Sequence, residues 1–165
     1  MLFRSLYFDP RVNERTYQMK RIFPEPNSEN RIIIIGTNPL RPFAALMSDV
    51  VAESQVLSND QCLPLFLYAD TESNENLFSD QETKKSYAIS DRTLESYVKR
   101  YGKTVDKEMI FYYIYGLLNC PDYIDNFSTE LKKGLPRIPQ VKDFFELAKI
   151  GLALGDLHVN YENLK

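Results

Sequence analysis

Four consecutive isoleucines, Ile32 to Ile35, set between Arg31 and Gly36, constrain this chain more than any other feature. β-Branched side chains are stiff at χ1 and fit a pleated surface better than a helix. Successive strand residues point to opposite faces, so an unbroken apolar run needs cover on both sides. The run therefore predicts a central strand, buried on both faces and bounded by Asn30 and Gly36. A chain of 165 residues, 44% of them hydrophobic, is long enough to bury such a strand within one folded unit.

Around it the first 69 residues read as strand-rich, with three to four strands. Leu2 to Asp9 is short, apolar and aromatic and runs into the turn at Asp9-Pro10. Arg11 to Phe23 reads as a helix or irregular excursion before the breaker Pro24-Glu25-Pro26. Further apolar stretches cover Phe43 to Val51 and Cys62 to Tyr68. Pro64 lies inside the latter and removes a ladder hydrogen bond, which places that strand at an edge or starts it near Pro64. Residues 70–89 are mostly polar and read as an exposed loop.

Residues 90–165 turn helical. Ser90 or Asp91 can cap a helix through Arg100, ended by Gly102. Lys107 to Asn119 is nearly all apolar or aromatic and predicts a helix buried on most faces. Pro121 can open a helix running to about Lys133, and Gln140 to His158 repeats large apolar residues at helical spacing. The expectation is one α+β domain, strands first and about four helices after.

Eleven Tyr and ten Phe with no Trp predict a ring-rich core whose hydroxyls need partners. Cys62 and Cys120 are the only cysteines and His158 the only histidine, too few for a four-ligand zinc site. Two unpaired thiols, no signal peptide and no apolar run of membrane-spanning length favour a cytoplasmic protein without a membrane partner.

The net charge of −3 argues at first against nucleic acid, but it is unevenly spread. Residues 1–43 hold seven Lys/Arg against four Asp/Glu, residues 44–95 three against ten, and residues 96–165 ten against nine. Acid is concentrated in the middle, which leaves room for a local basic face.

Several local patterns touch on chemistry. Asp122, Glu130 and Lys132 have the outline of a nuclease motif in which carboxylates hold Mg²⁺ and Lys orients water. Both halves fall on one predicted helix, however, and a helix start plus surface charge explains the same residues. Thr37-Asn38-Pro39-Leu40 invites comparison with the Asn-Pro-Pro-aromatic motif of adenine methyltransferases, but the second proline and the aromatic are missing, and Pro39 reads as a turn residue. Gly151 and Gly155 lie in a helical pattern without a preceding strand, so they read as close-packing positions rather than a phosphate loop. His158 reads as a helix-end or core histidine.

Two stretches resemble a known family. Phe111-Tyr112-Tyr113-Ile114-Tyr115-Gly116-Leu117-Leu118, Pro121-Asp122-Tyr123, Glu130 through Pro139 and Leu157-His158-Val159-Asn160-Tyr161-Glu162 resemble, in order and spacing, the C-terminus of type ISP restriction-modification enzymes. Leu6-Tyr7-Phe8-Asp9, Asn13-Glu14-Arg15, Tyr17-Gln18-Met19 and Gln61-Cys62-Leu63-Pro64-Leu65 are similar to the segment that follows the methyltransferase domain in that family. Its members are long chains in which nuclease, ATP-driven translocase, N6-adenine methyltransferase and target-recognition parts follow one another, and these residues resemble the last part alone.

The resemblance implies a domain without chemistry or cofactor of its own, which holds duplex DNA and reads a short site so that a neighbouring methyltransferase can flip and methylate an adenine. S-adenosylmethionine, ATP and Mg²⁺ would belong to the parent enzyme, an adenine methyltransferase with ATP-dependent restriction activity. Arg and Lys suit phosphates and guanine edges, and Asn and Gln suit adenine. The expected contacts are Arg11, Asn13, Arg15, Gln18, Lys20 and Arg21, then Lys132, Lys133 and Arg137. The rival readings are a docking module between the methyltransferase and translocase domains, and a Mg²⁺-dependent nuclease fragment.

Overall fold

The computed structural model describes residues 19–36, 38–51, 56–57, 60–69 and 85–163. Among them a short helix α1 (Met19–Ile22) precedes β1 (Ile32–Gly36), β2 (Ala45–Ser48), β3 (Asp60–Pro64), β4 (Phe66–Tyr68) and β5 (Lys85–Tyr87). The helices α2 (Asp91–Tyr101), α3 (Lys107–Leu118), α4 (Pro121–Asn126), α5 (Ser128–Leu131) and α6 (Phe144–Val159) follow, and a 3-10 turn spans Tyr161–Asn163. The architecture is the expected α+β, strands first. The predicted first strand, Leu2 to Asp9, lies outside the described residues.

β1 is central in a three-stranded antiparallel sheet of order β2-β1-β3. Its four isoleucines are buried, and period-2 alternation divides them between two cores. Ile33 and Ile35 join the main core with Ala45, Met47, Tyr115 and Ala148. Ile32 and Ile34 face a smaller cluster with Ile22 and Phe23, against which Val51, Leu57, Cys62 and Leu67 pack. The run is thus two-sided without a parallel sheet.

The apolar stretch from Cys62 to Tyr68 is two strands, not one. β3 is an edge strand that ends at Pro64, Leu65 makes the bend, and β4 pairs with β5 instead. β5 thereby occupies the end of the segment read as loop, whose residues 70–84 lie outside the described part. Asn30 holds this corner. Its amide donates to the carbonyls of Ile22 and Phe66, both at 2.9 Å, and its Oδ1 accepts from the N–H of Arg31 at 2.9 Å and of Phe66 at 3.0 Å. A buried amide with all four bonds made is stabilising rather than costly.

In the helical half, Ser90 caps α2 through Thr93 N and Gly102 ends it at φ +101°, a conformation that favours glycine. Asp106 caps α3 through Met109 N. The single helix expected from Pro121 to Lys133 breaks at Phe127 into α4 and α5.

Helices α3 and α6 touch backbone to backbone. A Cβ on Gly151 would come within 2.7 Å of Gly116 N and closer still to the Tyr112 carbonyl oxygen. A Cβ on Gly116 would overlap the Leu147 carbonyl, and one on Gly155 would lie 2.5 Å from Met47 Sδ. The glycines of Gly151-Leu152-Ala153-Leu154-Gly155 therefore serve helix packing, as their pattern indicated.

Candidate nucleic-acid interface

The segment from Lys132 to Lys142 leaves α5 and crosses the helical half before α6. It carries Lys132, Lys133, Arg137 and Lys142, all exposed, and no Asp or Glu. Pro136 and Pro139 cannot continue a helix or donate a backbone N–H, so the segment stays irregular and its carbonyls need outside partners.

Tyrosines from three helices supply them. The hydroxyl of Tyr123 on α4 donates to the Arg137 carbonyl at 2.7 Å, that of Tyr113 on α3 to the Pro139 carbonyl, and that of Tyr101 on α2 to the Val141 carbonyl at 2.6 Å. The Tyr113 oxygen also accepts from Val141 N at 3.3 Å. Alternate carbonyls of one extended strap are thus bonded in register, and Gln140 adds a bond from Nε2 to Ser96 Oγ on α2 at 3.0 Å. Burial pushes the Tyr113 phenol up to about 12, so it is a neutral donor at ordinary pH. The rings themselves pack around Phe144, which stacks on Tyr101 at 4.6 Å and lies tilted against Tyr113 at 4.9 Å, centroid to centroid.

The strap is therefore a rigid, acid-free basic edge. The clefts of the helical half carry acid. One of about 420 Å³ borders the strap itself, lined by its Pro139 and Val141 together with Asp122, Asp143 and Glu146. Another of about 330 Å³ is lined by Asp106, Glu108, Phe145, Lys149 and Leu152. Acid-rimmed clefts repel phosphate, while the strap attracts it.

Of the contacts expected from the sequence, Lys132, Lys133 and Arg137 are brought together on this edge. Lys20 and Arg21 sit partly buried on α1, apart in sequence from the strap and each engaged by a neighbour. Arg11, Asn13, Arg15 and Gln18 lie outside the described residues. The nuclease outline is not assembled: Asp122 lines the larger cleft, Glu130 does not, and the described residues hold no group of three metal-capable side chains. Asn38 forms an Asx turn, its Oδ1 accepting from Leu40 N at 2.9 Å, which accounts for the Asn38-Pro39 pair. His158 packs at the α6 end with its Nδ1 on the Tyr115 hydroxyl.

Arg31 was not singled out from the sequence. Its guanidinium bonds the Tyr112 hydroxyl at 2.9 Å and the Asp156 carboxylate at 2.6 Å, tying the start of β1 to α3 and α6. No helix of the described residues is long and apolar enough to cross a membrane.

The chain is similar to three solved structures at 30% sequence identity each. A cryoEM structure of a DrdV–DNA complex superposes with a TM-score of 0.84 over 97% of this chain and 15% of that one. The ATP-dependent Type ISP restriction-modification enzyme LlaBIII bound to DNA gives 0.79 over 92% of this chain and 10% of that one. A nuclease-deletion mutant of the Type ISP enzyme LlaGI in complex with a DNA substrate mimic gives 0.74 over 97% and 13%. The chain thus spans between 10% and 15% of the length of these relatives. No curated protein sequence matches it. The family model of the Type ISP C-terminal specificity domain matches residues 3–165, and the chain belongs to that family.

Proposed function

We propose that this domain recognises a specific duplex DNA site and positions a neighbouring N6-adenine methyltransferase domain of a type ISP restriction-modification enzyme. The observation that carries the reading is the tyrosine-held strap, where Lys132, Lys133 and Arg137 stand exposed without a single carboxylate between Lys132 and Lys142. Exposed cations on a fixed backbone bind phosphates or guanine edges without first losing backbone entropy. The family, and structural relatives that are DNA complexes, support the same reading.

Within it, Arg11, Asn13, Arg15, Gln18, Lys20 and Arg21 form a second contact segment. Asn13 and Gln18 are of the types that read adenine. The domain itself has no reaction to perform. The methyltransferase and the ATP-driven restriction activity reside in the rest of the parent chain, with S-adenosylmethionine, ATP and Mg²⁺ bound there.

A docking role complements recognition, and α6 favours it. Phe145 and Leu152 line one cleft and Ile150 the other, and these three and Leu157 are each about half exposed. Large apolar residues exposed on two sides of one helix suit packing against a further domain of the parent enzyme.

Fluorescence anisotropy of the chain with duplexes carrying the parent enzyme's methylation site, and with scrambled duplexes, tests the proposal at low and moderate salt. Preference for the site is the expected result. Binding to neither duplex at low salt would overturn it in favour of docking alone.

A further inference from the structure

We infer that the outer face of α2 is a phosphate-binding row that runs beside the strap and holds the sugar-phosphate backbone of the same duplex. The inference rests on the DNA-recognition reading and adds residues and a chemical role that neither the sequence pattern nor the family description assigns.

Arg92, Ser96 and Arg100 recur at four-residue spacing, so they lie on one face of α2. Ser96 Oγ accepts the 3.0 Å bond from Gln140, which puts that face directly beside the strap. The next turn adds a second tie through Tyr101, whose hydroxyl bonds the Val141 carbonyl at 2.6 Å. The Arg100 guanidinium lies 5.7 Å from the centroid of the Tyr101 ring, on the side chain that makes this tie. Arg92 and Arg100 thus flank the point where helix and strap meet, and both are exposed.

The carboxylates of α2 do not cancel this row. Asp91 is held by Lys107 at 2.6 Å, and Glu95 is outnumbered on the helix by Arg92, Lys99 and Arg100. Lys103, just beyond Gly102, is exposed and extends the row.

The eight residue steps of helix from Arg92 to Arg100 cover about 12 Å, and the four steps of strap from Arg137 to Val141 cover about 13 Å. Each length matches about four base-pair steps of a duplex. Two arginine-bearing rows of that length suit phosphates, while base readout falls to other side chains. Point charges on a helix face contact phosphate oxygens without regard to sequence.

The double variant Arg92→Gln, Arg100→Gln tests this against wild type, with Lys149→Gln in the acid-rimmed cleft as control. The expected result is affinity lowered on the order of tenfold for site-bearing and scrambled duplexes alike. The slope of log K against log salt should fall by about two. Thermal melting and the Lys149→Gln affinity should be unchanged. Wild-type affinity and slope in the double variant, while Lys132→Gln, Lys133→Gln, Arg137→Gln weakens binding, would overturn the α2 row and leave the recognition reading standing. Loss of site preference without a change in slope would equally overturn it, because that marks base readout. If wild type binds neither duplex, the recognition reading itself fails and the inference falls with it.

Discussion

The hydroxyl of Tyr123 lies 2.7 Å from the backbone oxygen of Arg137, so a side chain of α4 fixes the main chain of the residue whose guanidinium faces solvent. The same relation repeats two and four residues later through Tyr113 and Tyr101. A loop that would otherwise sample many conformations is held by bonds to its carbonyls, which leaves its basic side chains available. Tyrosine suits the task because the ring supplies core packing and the hydroxyl reaches past it.

Tyr123→Phe keeps the ring and deletes one bond. A net cost of about 1 kcal/mol is expected, seen as a melting temperature lower by roughly 3 °C. Amide exchange of Ile138 and Gln140 should accelerate in step. An unchanged exchange rate there would mean that the strap is held without Tyr123.

The alkaline limb of stability follows from the buried phenols. Burial raises Tyr113 to about 12, and raises Tyr97 and Tyr115 as well. A folded-state value above the unfolded one of about 10 means that the unfolded chain loses its proton first. Stability should therefore be insensitive to these groups below pH ~10 and fall as pH rises from there through about 12. Absorbance of tyrosinate from the core residues should appear together with loss of helical circular dichroism. Full ionisation with the helices intact would contradict the burial of these hydroxyls.

Much of this architecture is legible in the sequence, and the reasons differ by element. Four isoleucines in a row allow only a strand covered on both faces, and Ser90, Gly102 and Pro121 punctuate helices through local backbone chemistry. The split at Leu65 is not local: β4 leaves the first sheet because β5, about twenty residues on, offers its own edge. Lys132, Lys133 and Arg137 stand out in the sequence as basic residues, but the rigidity of the strap that carries them depends on hydroxyls from three helices. Arg31 shows the converse. Its place before the isoleucine run gives no hint that Asp156, far along the chain, receives it.

Close helix contact makes Gly151 intolerant of even a methyl group. Gly151→Ala would set a carbon against the Tyr112 carbonyl and Gly116 N, and two backbones cannot yield as a flexible side chain can. A loss of about 3 kcal/mol is expected, at the upper end of overpacking costs. Gly134→Ala meets nothing within 4 Å and should fall within about 0.5 kcal/mol of wild type. Urea titration of both variants, compared at equal m-values, separates the two; equal midpoints would refute the close α3–α6 contact.

Arg31 and the strap cations differ in what they meet, and the difference can be measured. The Arg31 side chain is 25% exposed, against 50% for Asp156, and its fork is occupied by that carboxylate and by the Tyr112 hydroxyl. Arg31→Lys keeps the charge but cannot serve both partners from a planar fork. Solvent around Asp156 screens the pair, so the cost should be only about 1 kcal/mol of folding stability. In the charge-removing Arg31→Gln, DNA affinity and its salt dependence should stay within about twofold of wild type, since an arginine already committed inside the fold neutralises no phosphate. Arg137→Gln should do the reverse, leaving the melting temperature in place and lowering the salt slope by about one. A reduced salt slope in Arg31→Gln would move that residue to the DNA-facing surface and require the domain to present its β1 end to the duplex.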